Sequence, residues 1–166
     1  MCGISGIFSS KRQIEQSLKK MSMTLSHRGP DHSAIYVGDN FGLAHNRLSI
    51  IDLSDEANQP MTDNSERYVI TYNGEIFNYM ELRNELTQIG CHFKTNSDTE
   101  VLLEGYKKNG EDFFNKIRGF FAVCIYDKKE GVAIFSRDIF GKKPLYFHAN
   151  KEEFIFGSEI KSILET

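Results

Sequence analysis

The chain has 166 residues, of which 40% are hydrophobic, and a formal net charge of −3. This length suits one domain with a sizeable core, and the mild acidity without any basic block argues against a nucleic-acid partner. A membrane span is also not expected, because no apolar run approaches the roughly 18 residues that one requires, and the first residues lack the layout of a secretory signal.

The first predicted elements are a strand, a helix and a loop. Residues 3–8 form a glycine-spaced apolar strand. Apolar residues then recur at the spacing of one face of an amphipathic helix: Ile14, Leu18, Met21 and Leu25. The polar face of this helix carries Lys11, Arg12, Glu15, Lys19 and Lys20. A Gly-Pro pair ends the helix, so residues 27–31 are expected to form a loop.

The next segment combines short strands and loops. Two strands, 34–37 and 42–43, flank a Gly-Asp-Asn turn. The run Leu-Ser-Ile-Ile-Asp-Leu predicts a further strand over 48–53. Residues 55–65 are polar and contain Pro60, which favours a surface loop.

Helices dominate the middle of the chain. A strand over 67–72 precedes a second helix, whose apolar face consists of Tyr79, Leu82, Leu86 and Ile89. A third helix starts after Ser97 and carries Val101, Leu102, Leu103 and Tyr106. A brief fourth helix is expected over 111–117.

Two strands in the last third of the chain are predicted to be buried on both faces. Residues 119–126 and 132–135 are apolar almost without a break, and final strands are expected over 145–147 and 154–156. A two-layer fold would leave one sheet face exposed to solvent and would require polar and apolar residues to alternate along each strand. Two stacked sheets covered by helices instead bury both faces of each sheet. We therefore predict an α+β fold in one domain over 1–166: a four-layer αββα sandwich of two antiparallel sheets between helix layers.

Cys2 is the first candidate for chemistry. If Met1 is removed, this residue carries both a thiol and a free α-amine, a group that ordinarily titrates at a pH of about 7.7 to 8.0. The amine can then accept the thiol proton without help from a histidine, as in enzymes whose nucleophile is their first residue. The alternative, that Cys2 only fills space near the terminus, stays open.

The dipeptide Asn73-Gly74 has a structural and a chemical interpretation. Between two apolar runs it predicts a tight turn, because glycine tolerates a positive φ. Alternatively, the Asn73 side-chain amide and the Gly74 backbone N–H form an oxyanion hole, in which the loss of one side-chain donor costs about 2.7 to 4 kcal/mol. The sequence alone supports both interpretations.

Two charged positions are similarly ambiguous. Ser97 and Glu100 match a capping box, which explains Asp98 only in part, since a carboxylate at a helix start can also hold an ammonium group. Arg47, at the edge of an apolar strand, is by default a surface residue. If Arg47 faces a pocket instead, its planar fork suits a carboxylate.

Metal and nucleotide sites find no support. Three cysteines, an odd number without a C-x-x-C pair, fit a reducing cytosol better than a disulfide scaffold. The five histidines lack metal-ligand spacing, and the glycines form neither a P-loop nor G-x-G-x-x-G. We expect a cytoplasmic protein with no metal, nucleotide or other cofactor in this chain.

The motifs occur in a fixed order. They are Met-Cys-Gly-Ile at 1–4, His-Arg-Gly-Pro-Asp at 27–31, Arg-Leu-Ser-Ile at 47–50, Tyr-Asn-Gly-Glu-Ile-Phe-Asn-Tyr at 72–79, Ser-Asp-Thr-Glu at 97–100 and Arg-Asp-Ile-Phe-Gly-Lys-Lys-Pro-Leu-Tyr at 137–146. From Cys2 to about Ile163, the chain closely resembles the class II glutamine amidotransferase domain of glutamine-dependent asparagine synthetases. Each motif alone is weak, but six in order over one domain are highly specific.

The resemblance implies the N-terminal-nucleophile hydrolase fold, in agreement with the four-layer prediction. It also implies hydrolysis of L-glutamine to glutamate and ammonia through a γ-glutamyl thioester. The implied catalytic residues are Cys2, with its α-amine as the base, and the oxyanion donors Asn73 and Gly74. The implied ligands of the amino-acid end of glutamine are Arg47 for the carboxylate, and Asp98 and Glu75 for the amino group. The motifs at 27–31 and 137–146 match positions that we interpret as structural.

The family normally continues into an ATP-dependent synthetase domain, whose Ser-Gly-Gly-x-Asp-Ser loop is absent here. ATP and Mg²⁺ would belong to that domain, so the expected partners are L-glutamine and a synthetase domain or subunit, with a homodimer left open. A retained Met1 would block the amine, and the alternative is then a catalytically silent binding domain on the same fold. A further alternative is an N-terminal-nucleophile hydrolase that acts on another amide.

Overall fold

Two antiparallel sheets form the centre of the computed structural model, which describes residues 1–10 and 13–166. The strands in those residues are β1 (Gly3–Ser9), β2 (His32–Val37), β3 (Phe41–Arg47), β4 (Met61–Thr62), β5 (Tyr68–Ile76), β6 (Gly119–Asp127), β7 (Val132–Arg137), β8 (Tyr146–Ala149) and β9 (Glu153–Gly157). One sheet has the order β2-β3-β1-β9-β8 and the other the order β4-β5-β6-β7. All neighbouring strands are antiparallel.

Helices cover the outer face of each sheet. They are α1 (Ile14–Thr24), α2 (Tyr79–Gln88), α3 (Asp98–Asn109) and α4 (Ile160–Ile163), with 3₁₀ turns at Ser26–Arg28, Asp55–Ala57 and Gly110–Lys116. On the five-stranded sheet, Leu18 of α1 shares a buried cluster with Ile7. On the four-stranded sheet, Leu82 of α2 and Leu102 of α3 share one with Ile70. The predicted four-layer αββα sandwich is confirmed.

Strand β5 explains why the central strands lack polar alternation. Val69 clusters with Phe41 between the two sheets, whereas Ile70 clusters with Leu102 under the helices. Successive strand side chains point to opposite faces, so a strand covered on both sides reads as a continuous apolar run. Strand β6 is buried in the same way over 121–127. The same prediction for β7 is wrong: none of its residues is fully buried, because β7 lies at the edge of its sheet.

The predicted strand over 48–53 is wrong. Strand β3 ends at Arg47, and residues 48–54 form a loop. Asp52 has a φ of 52°, in the left-handed region, and its Oδ1 accepts a hydrogen bond from the Ser54 N–H at 2.9 Å. This Asx-type turn reverses the chain and cannot form within an extended strand. We refer to residues 48–58 as the cleft loop.

The tight-turn interpretation of Asn73-Gly74 is also wrong. Both residues lie inside β5, where Asn73 pairs with Ala122 and Gly74 with Phe121 of β6. The long pairing of two strands overrides the local turn preference of the dipeptide.

Other boundaries differ less. The segment 55–65 contains a 3₁₀ turn and β4, with Ala57 and Met61 buried, so it is only partly a surface loop. The brief helix over 111–117 is a 3₁₀ helix. Lys11 and Arg12, predicted on the polar face of α1, lie outside the described residues. Within those residues no helix is long and apolar enough to cross a membrane.

Candidate active site

A cleft opens between the two sheets where β1 begins and β3 ends. All six residues singled out from the sequence line it: Cys2, Arg47, Asn73, Gly74, Glu75 and Asp98. They come from different parts of the fold, because β1 and β3 belong to the five-stranded sheet, β5 to the other sheet, and α3 to the outer layer. The fold therefore brings the predicted site residues together in one place.

Cys2 precedes the first residue of β1, with its sulfur against the start of the cleft loop. The backbone N–H of Leu48 donates to Cys2 Sγ at 3.4 Å, and the Leu48 carbonyl oxygen lies 3.7 Å from it. On the other side, Arg28 Nε donates to the Cys2 carbonyl oxygen at 2.9 Å. The backbone and the side chain of Cys2 are thus both held by hydrogen bonds.

Arg47 is buried, so its default assignment as a surface arginine is wrong. Its Nη1 donates to the Ser54 carbonyl at 2.8 Å and to Asn58 Oδ1 at 2.7 Å, and its Nη2 donates to the Asp52 carbonyl. A guanidinium has five N–H groups, so Nε–H and one Nη2–H remain for a ligand. Arg47 can hold the cleft loop and a carboxylate at the same time.

The Asn73 side chain is a buried donor without an acceptor. Only 1% of Asn73 is exposed, and its Nδ2 has no hydrogen-bond partner among the described residues. A buried unsatisfied donor costs about 1 to 3 kcal/mol, so its presence in a cleft indicates a ligand.

Gly74 presents its backbone N–H to the same region. The N–H groups of Tyr72 and Ile76 donate away from β6, to Gln59 Oε1 at 2.7 Å and to Asp98 Oδ2 at 3.1 Å. Alternate residues of an antiparallel strand direct their N–H groups to the same side, so the Gly74 N–H also points to the open edge of β5. A Cβ on Gly74 would lie 2.7 Å from the Phe120 carbonyl oxygen, which explains the glycine.

Asp98, the first residue of α3, is a buried carboxylate without a cation. Its Oδ2 accepts hydrogen bonds from the Tyr72 hydroxyl at 2.8 Å and from the Ile76 N–H, but it forms no ion pair with any described side chain. Burial raises the pKa of Asp98 although these hydrogen bonds oppose the change. Such a site lacks a positive charge that a substrate ammonium can supply.

Ser97 and Glu100 have the structural role that the capping box predicts, with one difference. Ser97 Oγ accepts from the Glu100 N–H at 3.2 Å, as expected. The Glu100 carboxylate, however, accepts from the N–H groups of Lys94 and Thr95 at 2.9 and 2.7 Å. Glu75 lines the cleft as an exposed carboxylate on β5.

His45 is a lining residue that no sequence motif indicated. It is fully buried, and desolvation lowers its pKa to about 3, so the ring is neutral. Its Nε2 lies 3.1 Å from the Tyr72 carbonyl oxygen, which can only accept, so Nε2 carries the proton. Among the described residues Nδ1 has no partner. A histidine within an apolar strand gives no local signal that it lines a cleft.

A family model described as "Glutamine amidotransferase domain" matches residues 1–166. The chain is 41% identical over 169 residues to asparagine synthetase [glutamine-hydrolyzing] 1 of Bacillus subtilis, covering 99% of this chain and 27% of that protein. It is 38% identical over 168 residues to asparagine synthetase B [glutamine-hydrolyzing] of Escherichia coli, covering 99% and 30%. The chain thus spans less than a third of the length of either relative.

Solved structures agree on the fold. The chain matches glutamine phosphoribosylpyrophosphate amidotransferase of B. subtilis with a TM-score of 0.84 and 21% identity, over 98% of this chain and 43% of the other. It matches the structure of the allosteric regulatory enzyme of purine biosynthesis with a TM-score of 0.86 and 21% identity, over 99% of this chain and 43% of the other.

Proposed function

Because the chain belongs to the glutamine amidotransferase domain family, we propose that it hydrolyses L-glutamine to glutamate and ammonia through a γ-glutamyl thioester on Cys2. One observation carries this mechanism. Asn73 Nδ2, which has no partner among the described residues, and the open-edge Gly74 N–H lie in the same cleft as a cysteine sulfur. Donors that are held ready in a buried site stabilise a developing oxyanion.

The first step forms the thioester. The Cys2 thiol passes its proton to the α-amine of the same residue, and the sulfur attacks the side-chain carboxamide carbon of glutamine. Asn73 Nδ2 and Gly74 N–H hold the negative charge on the amide oxygen. The C–N bond then breaks, and the α-ammonium returns its proton to the leaving nitrogen, which departs as ammonia.

The second step releases glutamate. The α-amine takes a proton from a water molecule that attacks the thioester carbon, and the same two donors hold the second oxyanion. When the C–S bond breaks, the ammonium returns the proton to the sulfur. Over both steps, one glutamine and one water give glutamate and ammonia, and Cys2 is regenerated.

Selection of free glutamine rests on charge. The two remaining N–H groups of Arg47 suit the α-carboxylate, while Asp98, with Glu75 nearby, suits the α-ammonium. A peptide-bound glutamine lacks these charges, so it would leave the buried Asp98 without a cation. Free glutamine is therefore the favoured substrate.

The reaction requires the removal of Met1. With Met1 in place, the nitrogen of Cys2 belongs to a peptide bond and is not basic, and Met1 itself lines the cleft. Removal supplies the amine and opens space beside the sulfur. A chain that keeps Met1 is the catalytically silent domain of the alternative hypothesis.

The ammonia would serve an ATP-dependent synthetase domain or subunit. Because both relatives are named as glutamine-hydrolyzing asparagine synthetases, we propose amidation of aspartate as the coupled reaction. ATP and Mg²⁺ would bind to the synthetase, and residues 1–166 would act as a single glutaminase domain. The free cysteines Cys2, Cys91 and Cys124 are consistent with work in the reducing cytoplasm.

Ammonia release from glutamine by the Met-free chain tests the proposal, with intact mass used to verify that Met1 is gone. Cys2→Ala should abolish release and keep the fold. A diazoketone analogue of glutamine should label Cys2, and labelling at the buried Cys91 or Cys124 instead would contradict the assignment. A panel of other amides separates a glutaminase from a hydrolase of different specificity, since only the former requires both the free α-carboxylate and the free α-amino group.

A further inference from the structure

Glu159, between β9 and α4, is the centre of a charged network beside the nucleophile. Its Oε1 accepts from Arg28 Nη1 at 2.9 Å and lies 2.9 Å from His27 Nε2, and its Oε2 lies 3.2 Å from Lys161 Nζ. Burial opposes ionisation, but hydrogen bonds from Arg28, His27 and Lys161 hold the pKa of Glu159 at about 2. Glu159 is therefore an anion throughout the working pH range.

Arg28 connects this anion to the Cys2 backbone. The Arg28 side chain is only 9% exposed, and its Nε donates to the Cys2 carbonyl oxygen at 2.9 Å while its Nη1 donates to Glu159. A buried guanidinium depends strongly on its counter-charge. Glu159 thus determines where Arg28 lies, and Arg28 determines where the Cys2 carbonyl lies.

Ser158 holds the same segment two residues further along. Its Oγ accepts from the Ile4 N–H at 2.9 Å, and its own N–H donates to the Ile4 carbonyl at 2.8 Å. The regular pairing of β1 with β9 ends at Ser5 and Gly157, so these contacts continue the attachment beyond the ladder. The start of β1 is therefore held by hydrogen bonds from Ser158, near the C-terminal end of the sequence.

We propose that Glu159 is a positioning residue for Cys2, acting through Arg28. This inference rests on the proposed glutaminase function. Once Met1 is removed, Cys2 has a single peptide bond, and terminal residues stay mobile unless they are tied down. The Arg28 hydrogen bond to the Cys2 carbonyl restricts rotation about the Cys2 Cα–C bond. That rotation sets the directions of the amine and the thiol.

Glu159→Ala in the Met-free chain should lower kcat for glutamine on the order of 10- to 100-fold, because a small misplacement of a reacting group has effects of this size. KM should stay within about twofold, since Arg47 and Asp98 do not contact Glu159. Glu159→Gln keeps a hydrogen-bond acceptor for Arg28, so its kcat should lie between the values for Glu159→Ala and wild type. It also serves as the test variant if Glu159→Ala does not fold.

Lys161→Ala is the matched control. It removes another partner of Glu159, one that does not contact Arg28, and should leave kcat unchanged. A role limited to stability would lower the unfolding temperature of the Glu159 variants while the folded protein keeps normal kcat, which would overturn the proposal. A raised KM with normal kcat would overturn it too.

Alkylation of Cys2 by iodoacetamide provides a readout that needs no glutamine. If Glu159 positions Cys2, the Glu159 variants should show a changed alkylation rate and a changed pH profile of that rate, whereas Lys161→Ala should match wild type. Identical profiles for Glu159→Gln, Glu159→Ala and wild type would overturn the inference. An inactive wild-type chain would contradict the proposed function instead, and the alkylation comparison would still decide the role of Glu159.

Discussion

The two walls of the cleft differ in how their polar groups are used. On the nucleophile wall, formed by Cys2, Arg47 and the cleft loop, most donors already have acceptors in the protein. On the oxyanion wall, formed by Asn73, Gly74 and Asp98, one amide nitrogen has no acceptor and one buried carboxylate has no cation among the residues that the structure describes. The first wall is fixed before a ligand arrives, whereas the second is completed by one.

The difference separates positioning from recognition. A group with a protein partner contributes stability and orientation, so its removal affects the fold. A buried group without a partner destabilises the free protein and is compensated only by a ligand, so its removal affects function and spares the fold. This contrast predicts different results for mutations that look alike in sequence.

Asn73→Ala should have the largest effect and no large loss of stability. Loss of one oxyanion donor lowers kcat by about 10²- to 10³-fold. Because Nδ2 has no partner in the described protein, the unfolding temperature should change little. Steady-state ammonia release and thermal unfolding measure the two quantities.

Asn78→Ala is the matched control for Asn73→Ala. Asn78 is also buried, but its amide donates to the Lys116 carbonyl at 3.0 Å and accepts from the Arg118 N–H at 2.9 Å. Its removal should lower the free energy of unfolding by about 1 to 3 kcal/mol and leave kcat close to wild type. A stability loss of equal size in both variants would refute the contrast between walls.

Arg47→Ala should affect both binding and folding, because its side chain serves the substrate and the cleft loop. Loss of the charged hydrogen bonds to the α-carboxylate should raise KM about 10- to 100-fold, and the loop oxygens that lose their donor should lower stability by about 1 to 3 kcal/mol. Kinetics and denaturant unfolding provide the measurements. A near-normal KM would remove Arg47 from the substrate site. Arg67→Ala, which breaks an ion pair with Asp127 away from the cleft, should leave KM unchanged.

Much of this arrangement is predictable from short stretches of sequence. The apolar run of β6 correctly predicts a strand covered on both faces, and Ser97 correctly predicts the start of α3. The six predicted site residues all line one cleft because each lies at or near the end of an element, or on the open edge of β5.

The wrong predictions share a cause, which is that side-chain contacts and strand pairing in the folded chain override local propensity. Ile50 and Ile51 have strand propensity, but Arg47 binds the carbonyls of Asp52 and Ser54 and holds the segment as a loop. Asn73-Gly74 has turn propensity, but pairing with β6 extends it. The contact between Arg28 and Glu159 spans 131 residues, so no local pattern reveals it.

Asp98→Asn should weaken glutamine binding and stabilise the free protein. Removing the charge that meets the substrate ammonium should raise KM about tenfold. Burial raises the pKa of Asp98, so the ionised carboxylate destabilises the fold relative to the protonated carboxyl. The stability that the protonated carboxyl provides is present at acidic pH and is lost as pH rises through the raised pKa. The increase in unfolding temperature caused by Asp98→Asn should therefore be present at neutral pH and disappear below about pH 4. Thermal unfolding against pH measures it.

Asp138→Asn should change the stability of the protein at neutral pH in the opposite direction to Asp98→Asn. Burial works against ionisation of Asp138, but backbone N–H groups, including those of Lys142, Lys143 and Phe121, lower its pKa. Its ionised form stabilises the fold above the ordinary carboxyl pKa, and this stability is lost as pH falls through the lowered value. The variant should be less stable than wild type at neutral pH. If Asp98→Asn and Asp138→Asn shift the unfolding temperature in the same direction at neutral pH, the opposite pKa directions of the two carboxyls are wrong.

The smallest effect concerns the attachment between the two walls. Thr71 Oγ1 of β5 donates to the Ala44 carbonyl of β3 at 3.1 Å, next to the His45–Tyr72 hydrogen bond. Thr71→Val keeps the shape of the side chain but loses the hydrogen-bond donor, which should lower the free energy of unfolding by about 0.5 to 1.5 kcal/mol. We expect kcat to fall roughly threefold. Thr71→Ser, which keeps the hydroxyl, should retain more activity. If the loss reflects the distance between walls, labelling by the diazoketone, which needs both walls, should slow more than alkylation by iodoacetamide, which needs only Cys2. Equal slowing of both reactions would place the defect at Cys2 alone.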